Sequence, residues 1–313
     1  MLLRPVAGLF SGVVFLRRKA YALGLKRAER LPVPVVVVGN LSVGGTGKTP
    51  LTIAVAEILA RAGFHPGIVS RGYGGRPQPA PVSVGADSDP GEVGDEPVLM
   101  ARRSACPVAV YPVRSAAARH LLDTAGCDII VADDGLQHYA LARDLEIAVI
   151  DGTRRFGNGA CLPAGPLREP PSRLASVDLV VCQGGVAQAG EFPMRLEGGE
   201  AVKLLDPGER RPLAAFAGTA CRALAGIGNP ERFFAHLRAA GLEVVGRSFP
   251  DHHRFVPGDL EGPEGVPLLM TEKDAVKCRT FAGSDHWYVP VTAHLPDGFE
   301  QQLLNRLKAK RDG

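Results

Sequence analysis

The chain has 313 residues, 45% of them hydrophobic and 22% charged, with a formal net charge of +3. This balance excludes a disordered or fibrous protein, and the length accommodates two domains with separate cores. The small cation excess excludes a surface built for nucleic acid, and six scattered cysteines without a CxxC pair read as free thiols in a reducing cytoplasm.

The cations are unevenly spread. Residues 1–30 carry Arg4, Arg17, Arg18, Lys19, Lys26, Arg27 and Arg30 against Glu29 alone, which leaves the remainder net acidic. The apolar run between Arg4 and Arg17 spans 12 residues, whereas a spanning helix needs roughly 20. A signal peptide is excluded by order, because the basic cluster follows the apolar run. Two readings remain, a helix packed on the core or an interfacial helix dipping into an anionic leaflet. Phe10, Val13, Val14 and Leu16 followed by clustered cations favour the interface. Residues 1–30 are therefore expected to form an N-terminal amphipathic helix that associates with a membrane.

The next stretch organises the chain. Val33 to Gly39 is a β-branched run that reads as a buried strand. Ser42, Val43, Gly44, Gly45, Thr46, Gly47, Lys48 and Thr49 follow as a glycine-rich turn, and apolar residues at helical spacing occupy 51–63. Strand, glycine turn and helix are the context of a phosphate-binding loop, where backbone N–H groups and a helix N-terminus converge on phosphate oxygens. Lys48 would meet the β- and γ-phosphates, and the Thr49 hydroxyl would ligate Mg²⁺. Ser42 stands where the usual pattern has its first glycine. The bland alternative is a glycine-rich turn with Lys48 merely solvated. A nucleoside triphosphate is the expected ligand.

Strands are expected over 66–70, 107–111, 128–133, 145–150 and 178–182, and helices over 94–104, 113–126 and 171–176. Most of these strands are continuous apolar runs, as in a sheet covered on both faces. The fold class is therefore α/β, a doubly wound, mostly parallel sheet of the P-loop NTPase type. Between 184 and 212 the pattern dissolves into Gly, Glu, Pro and Arg. A boundary near 210 divides a phosphate-loop domain (31–210) from a smaller α/β domain (211–313). The second has a helix starting at Asn229-Pro230, strands at 242–248, 267–271 and 287–291, and a terminal helix over 297–310 that packs back on the first.

Further motifs carry chemistry. Asp133 and Asp134 end an apolar strand, where the Mg²⁺ side of a phosphate-loop site needs carboxylates. Successive side chains on an extended chain point apart, so one is expected at Mg²⁺ and the other in the loop's own structure. Asp95 and Glu96 open a helix, which taken alone is simple complementation of the helix dipole. Gln137-His138, Arg168-Glu169, Asp251-His252-His253 and Ser70-Arg-Gly-Tyr-Gly74 complete the set, with Thr271-Glu-Lys-Asp-Ala-Val-Lys277.

In order, Gly-Gly-Thr-Gly-Lys-Thr-Pro, Ser-Arg-Gly-Tyr-Gly-Gly, Gly-Asp-Glu-Pro, Asp-Asp-Gly-Leu-Gln-His, Pro-Ala-Gly-Pro-Leu-Arg-Glu, Asp-His-His and Thr-Glu-Lys-Asp-Ala-Val-Lys resemble the tetraacyldisaccharide 4′-kinase family of Gram-negative bacteria. The resemblance runs to about residue 277, with Gln183 in place of an expected asparagine. It implies phosphoryl transfer from ATP, with Mg²⁺, to the 4′-hydroxyl of a tetraacylated glucosamine disaccharide 1-phosphate in lipid A biosynthesis. The place would be the cytoplasmic face of the inner membrane, whose anionic surface is the second expected partner. It further implies Asp95 and His252 as a catalytic pair, with His253 as the alternative histidine. Thr49, Glu96, Asp133 and Asp134 would handle Mg²⁺, and Gln137, His138, Arg168 and Glu169 would lie around phosphates and sugar. Two other classes compete. A membrane-associated partitioning ATPase would carry a lysine where Val43 stands, and a nucleotide-gated carrier would hydrolyse nucleotide regardless of any saccharide lipid.

Overall fold

A computed structural model describes residues 3–311; Met1, Leu2, Asp312 and Gly313, the ends of the expected terminal segments, lie outside the described residues. Its first half runs α1 (Arg4–Ala22), β1 (Val35–Gly39), α2 (Lys48–Arg61), β2 (Pro66–Ser70), β3 (Val82–Val84), α3 (Pro90–Val93), α4 (Asp95–Ser104), β4 (Val108–Val110), α5 (Arg114–Ala125), β5 (Ile129–Ala132) and β6 (Leu145–Asp151). Then come β7 (Leu179–Gln183), β8 (Glu191–Glu197), β9 (Glu200–Lys203), β10 (Arg210–Pro212), β11 (Ala220–Ala225), α6 (Pro230–Ala239), β12 (Glu243–Ser248), α7 (Pro257–Leu260), β13 (Leu268–Thr271), α8 (Glu272–Cys278), β14 (His286–Val289), β15 (Thr292–His294) and α9 (Asp297–Arg311).

Two sheets result. The first has nine strands in the order β15-β8-β7-β6-β1-β5-β2-β4-β3, and the second six in the order β10-β9-β14-β13-β11-β12. β1 lies mid-sheet between β5 and β6, parallel to both. All five of its residues are buried, because helices cover both faces and a valine run has no polar side to present. One layer packs Leu51, Val55 and Leu59 of α2 onto the sheet together with Phe299, Leu303 and Leu307 of α9. The opposite layer holds Leu121 of α5, Leu136 and Leu167. The second sheet has its own apolar layers, around Phe234 and Trp287 on one side and Leu260 and Met270 on the other.

The chain passes between the sheets at Gly198–Gly199 and returns at Pro290–Val291. Those crossings lie against each other, since a Cβ on Gly198 would stand 2.8 Å from the Pro290 carbonyl oxygen. β9 therefore belongs to the second sheet although it lies upstream of the boundary expected near 210, with β10 at that boundary, and β15 and α9 belong to the first. The sequence conceals this because 184–212 forms short, half-exposed strands at or next to a sheet edge, without an apolar run. The two bodies are called the first and second lobe below.

α1 touches the first lobe along a narrow line. Ala7 is buried, Phe10 packs partly into the α5 layer, and Tyr21 meets Tyr139 at 6.0 Å between ring centroids. On its other side Val6, Leu9, Val13, Phe15 and Leu16 are 51–72% exposed. Among the described residues no helix is long and apolar enough to cross a membrane. All six cysteines are free thiols, and all but Cys106 are buried.

Candidate active site

The carboxyl ends of β1, β5 and β2 open on one crevice. At its floor, the β1–α2 turn is braced from below. Asn40 Nδ2 donates to Thr46 Oγ1 (2.8 Å), and Val43 N–H donates to the Pro166 carbonyl (2.8 Å). Gly47 has φ of 87° and a Cβ there would stand 3.1 Å from Gln183 Cγ, so only glycine fits without strain. Gln137 Nε2 bridges the Asn40 carbonyl (3.1 Å) and Glu169 Oε2 (3.0 Å). The Tyr139 hydroxyl donates to Glu169 Oε1. Glu169 is buried and also lies 3.7 Å from Arg173, which binds both oxygens of Glu146 at 2.6 Å. Gln137 and Glu169 thus stand behind the loop, facing each other. Removing Arg173 would take the neighbouring cation from buried Glu169 and leave Glu146 to Arg143. Arg173→Ala should therefore lower stability by about 3 kcal/mol or more, measured by urea unfolding.

The paired aspartates divide as their alternation demands. Asp133 turns inward and accepts from Thr52 Oγ1 (3.1 Å) and Ser70 Oγ (3.2 Å). Asp134, with φ of 45°, turns into the crevice, where Arg168 Nη1 donates to both its oxygens at 2.8 Å and Lys48 Nζ lies 3.9 Å away. Arg114 fixes the turn by donating to both aspartate carbonyls (3.2 and 2.9 Å). Burial pushes the Asp133 carboxyl up to about 7, with Glu96 and Asp134 adding repulsion that Lys48 and Arg114 only partly offset. Burial raises Asp134 too, but Lys48 and Arg168 outweigh it and hold that carboxyl below the usual range. His138 is kept neutral, down to about 4, by burial and by Arg114, Arg143, Arg17 and Arg71 around it.

The second lobe closes the crevice. A Cβ on Gly228, in the β11–α6 turn, would stand 2.6 Å from Gly45 N. Arg232 of α6 donates to Gln183 Oε1 beside Gly47. Opposite the phosphate loop, His252 Nδ1 lies 3.0 and 3.2 Å from the two oxygens of Asp95. Asp95 is buried at the start of α4, and Lys277 Nζ reaches it at 3.5 Å. Burial raises the Asp95 carboxyl, but His252, Lys273 and Lys277 outweigh that and bring it to about 2. Burial lowers His252, and Asp95 overcomes it, raising the imidazole above its ordinary range. Tyr73 packs edge-on against this ring at 4.8 Å, and His252 holds φ of 60°, a strained backbone of the kind found at functional sites. His253 turns the other way, 3.0 Å from Asp259 Oδ2 and stacked on Phe249. Glu96 points along the same wall and accepts from Lys273 Nζ (2.9 Å).

A model of the family described as tetraacyldisaccharide-1-P 4′-kinase matches residues 1–308. The chain belongs to this family. A tetraacyldisaccharide 4′-kinase of Nitrosococcus oceani is 53% identical, the match covering 98% of this chain and 90% of the relative. One from Alkalilimnicola ehrlichii is 54% identical over 96% and 90%. A solved structure described as the "apo" form of LpxK from Aquifex aeolicus in complex with ATP has a TM-score of 0.81 and 27% identity, covering 98% of this chain and all of that one.

In this member of the 4′-kinase family, sequence reasoning left several crevice residues without a part. Thr52 and Ser70 hold Asp133, Arg114 ties the aspartate turn, and Tyr73 seats His252. Lys273 and Lys277 were visible as a motif, and their four-residue spacing on α8 puts both on one face. Among the described residues no three His, Cys, Asp or Glu side chains converge to hold a metal alone. Asp134, open to the crevice beside Lys48, could supply one carboxylate to Mg²⁺, an ion that takes one or two and completes its shell with phosphate oxygens and water.

Proposed function

We propose that the chain transfers the γ-phosphoryl group of ATP to the 4′-hydroxyl of a tetraacylated glucosamine disaccharide 1-phosphate. The observation that carries this reading is the His252–Asp95 contact at 3.0 Å, made between lobes. An ionised Asp95 accepts Nδ1–H, so the neutral imidazole presents its Nε2 lone pair to an acceptor hydroxyl. The hydroxyl proton passes to Nε2 as its oxygen bonds the γ-phosphorus, and the bond to the β-phosphate oxygen breaks to release ADP. Lys48 and the loop N–H groups take up charge on the phosphates, where positioning and electrostatics supply most of the rate. Thr49, Asp134 and Glu96 would hold Mg²⁺, with Asp133 behind them. Bound there, the ion would neutralise charge on the β- and γ-oxygens. Arg168 and the arginine-ringed His138 suit the anionic headgroup, and the Gln137–Glu169 pair keeps the loop beneath it in place. ADP release by purified protein with Mg·ATP should depend on added disaccharide lipid, and a 4′-deoxy analogue should support none. Release independent of lipid would sink the reading.

The exposed apolar face of α1 beside Arg17, Arg18 and Lys19 supports peripheral attachment to the cytoplasmic face of the inner membrane, where the acceptor resides. Deleting residues 1–20 should weaken binding to anionic vesicles by about tenfold or more, and full-length binding should fall with added salt. Salt-insensitive binding, or none by the intact protein, would count against this.

A further inference from the structure

We propose that Lys273 is a further catalytic residue, which covers the Nε2 lone pair of His252 until the acceptor arrives and then passes to the transferring phosphoryl group. The proposal rests on His252 being the base, and it gives a part to the Thr271–Lys277 motif that the mechanism above leaves unused.

Lys273 opens α8 in the second lobe, and its Nζ reaches Glu96 Oε1 of the first lobe at 2.9 Å. The same nitrogen lies 3.1 Å from Asp251 Oδ1 and 3.4 Å from His252 Nε2. With Nδ1 engaged by Asp95, Nε2 is the ring atom left for chemistry, and an ammonium donor stands on it. Two carboxylates, Glu96 and Asp251, flank Lys273 Nζ at 2.9 and 3.1 Å and favour its ammonium form. It therefore donates to Nε2 and takes no proton from it.

Two consequences follow from that placement. While Lys273 holds the lone pair, a water molecule at the crevice is not activated, and bound ATP is protected from hydrolysis. When the 4′-hydroxyl displaces Lys273 from Nε2, the ammonium is left beside the arriving γ-phosphoryl oxygens, opposite Lys48. The hydroxyl proton goes to Nε2, the new O–P bond forms, ADP leaves with the electron pair of the broken bond, and Lys273 stays protonated throughout. A mere bridge between Glu96 and Asp251 would have neither consequence.

The test compares Lys273→Met, Lys273→Arg and His252→Ala with the parent enzyme in detergent. Lipid phosphorylation, lipid-independent ATP hydrolysis and thermal melting are measured on each. Lys273→Met should lower transfer by about 10²-fold or more while hydrolysis holds or rises, so that the ratio of hydrolysis to transfer climbs by a similar factor. Lys273→Arg should restore part of the transfer. Should the methionine variant not fold, Lys273→Ala with added ethylammonium gives the same reading, transfer recovering as the ion is titrated in. Equal loss of transfer and hydrolysis, or no change in either, overturns the proposal, as does an alanine variant indifferent to the ion. If His252→Ala keeps normal transfer, the base assignment itself has failed. If that variant is dead while the Lys273 variants match the parent, only the present proposal has failed.

Discussion

Asp95→Ala and His252→Ala should each lower kcat/KM for lipid phosphorylation by about 10²–10⁴-fold, and the double variant should be little worse than the worse single. The two side chains are 157 positions apart in sequence and belong to different lobes, yet the imidazole meets both carboxylate oxygens. Without Asp95 the imidazole loses its orientation and part of its basicity. Without His252 the hydroxyl proton loses the acceptor that Asp95 orients. Groups that act as one unit give strongly non-additive losses. Simple additivity would sink the paired base. The sign of the pH dependence follows from His252. Because its pKa is raised, the protonated, inactive form persists to higher pH, and kcat should climb through a pKa above the ordinary histidine range. His252→Ala should flatten that limb.

Lys48→Ala should cut turnover by about 10²–10³-fold and leave the fold intact. Its amine makes one long contact, 3.9 Å to Asp134, whose carboxylate is already bound twice by Arg168. Losing it strands no buried charge, so melting should barely move. The phosphates lose a cation that nothing else in the loop supplies. A folded variant with near-normal activity would show that this turn is not the phosphate site.

The phosphate loop was legible because it is local. A valine run, a glycine turn and a helical apolar pattern sit in one stretch, and β1 and α2 form there, with α2 starting at Lys48, before the apolar repeat, because Pro50 suits a first turn. The two-lobed plan was legible only in outline. β8 to β10 and β15 are short strands at or next to a sheet edge, most of their residues not fully buried, so neither period nor apolar run betrays them. β11 was missed as well, because its stretch Ala220–Ala225 carries an arginine and small residues. That Asp133 and Asp134 diverge follows from strand geometry, but which one faces the crevice depends on Thr52, Ser70 and Arg168, from three different segments. The Asp95–His252 pair had no local signal at all and rested on family resemblance. That His252 meets Asp95 while His253 turns away depends on the positive φ and the Phe249 stack, which no sequence pattern carries.

The most direct measurement is the position of the phosphate on the lipid. Purified protein is incubated with Mg·ATP and the disaccharide 1-phosphate in detergent, and the lipid is recovered and its phosphorus sites assigned by ³¹P NMR. A second monophosphate at the 4′ oxygen, formed one for one with ADP, is the expected result. ADP formed with the lipid unchanged, or phosphate placed at any other hydroxyl, would contradict it.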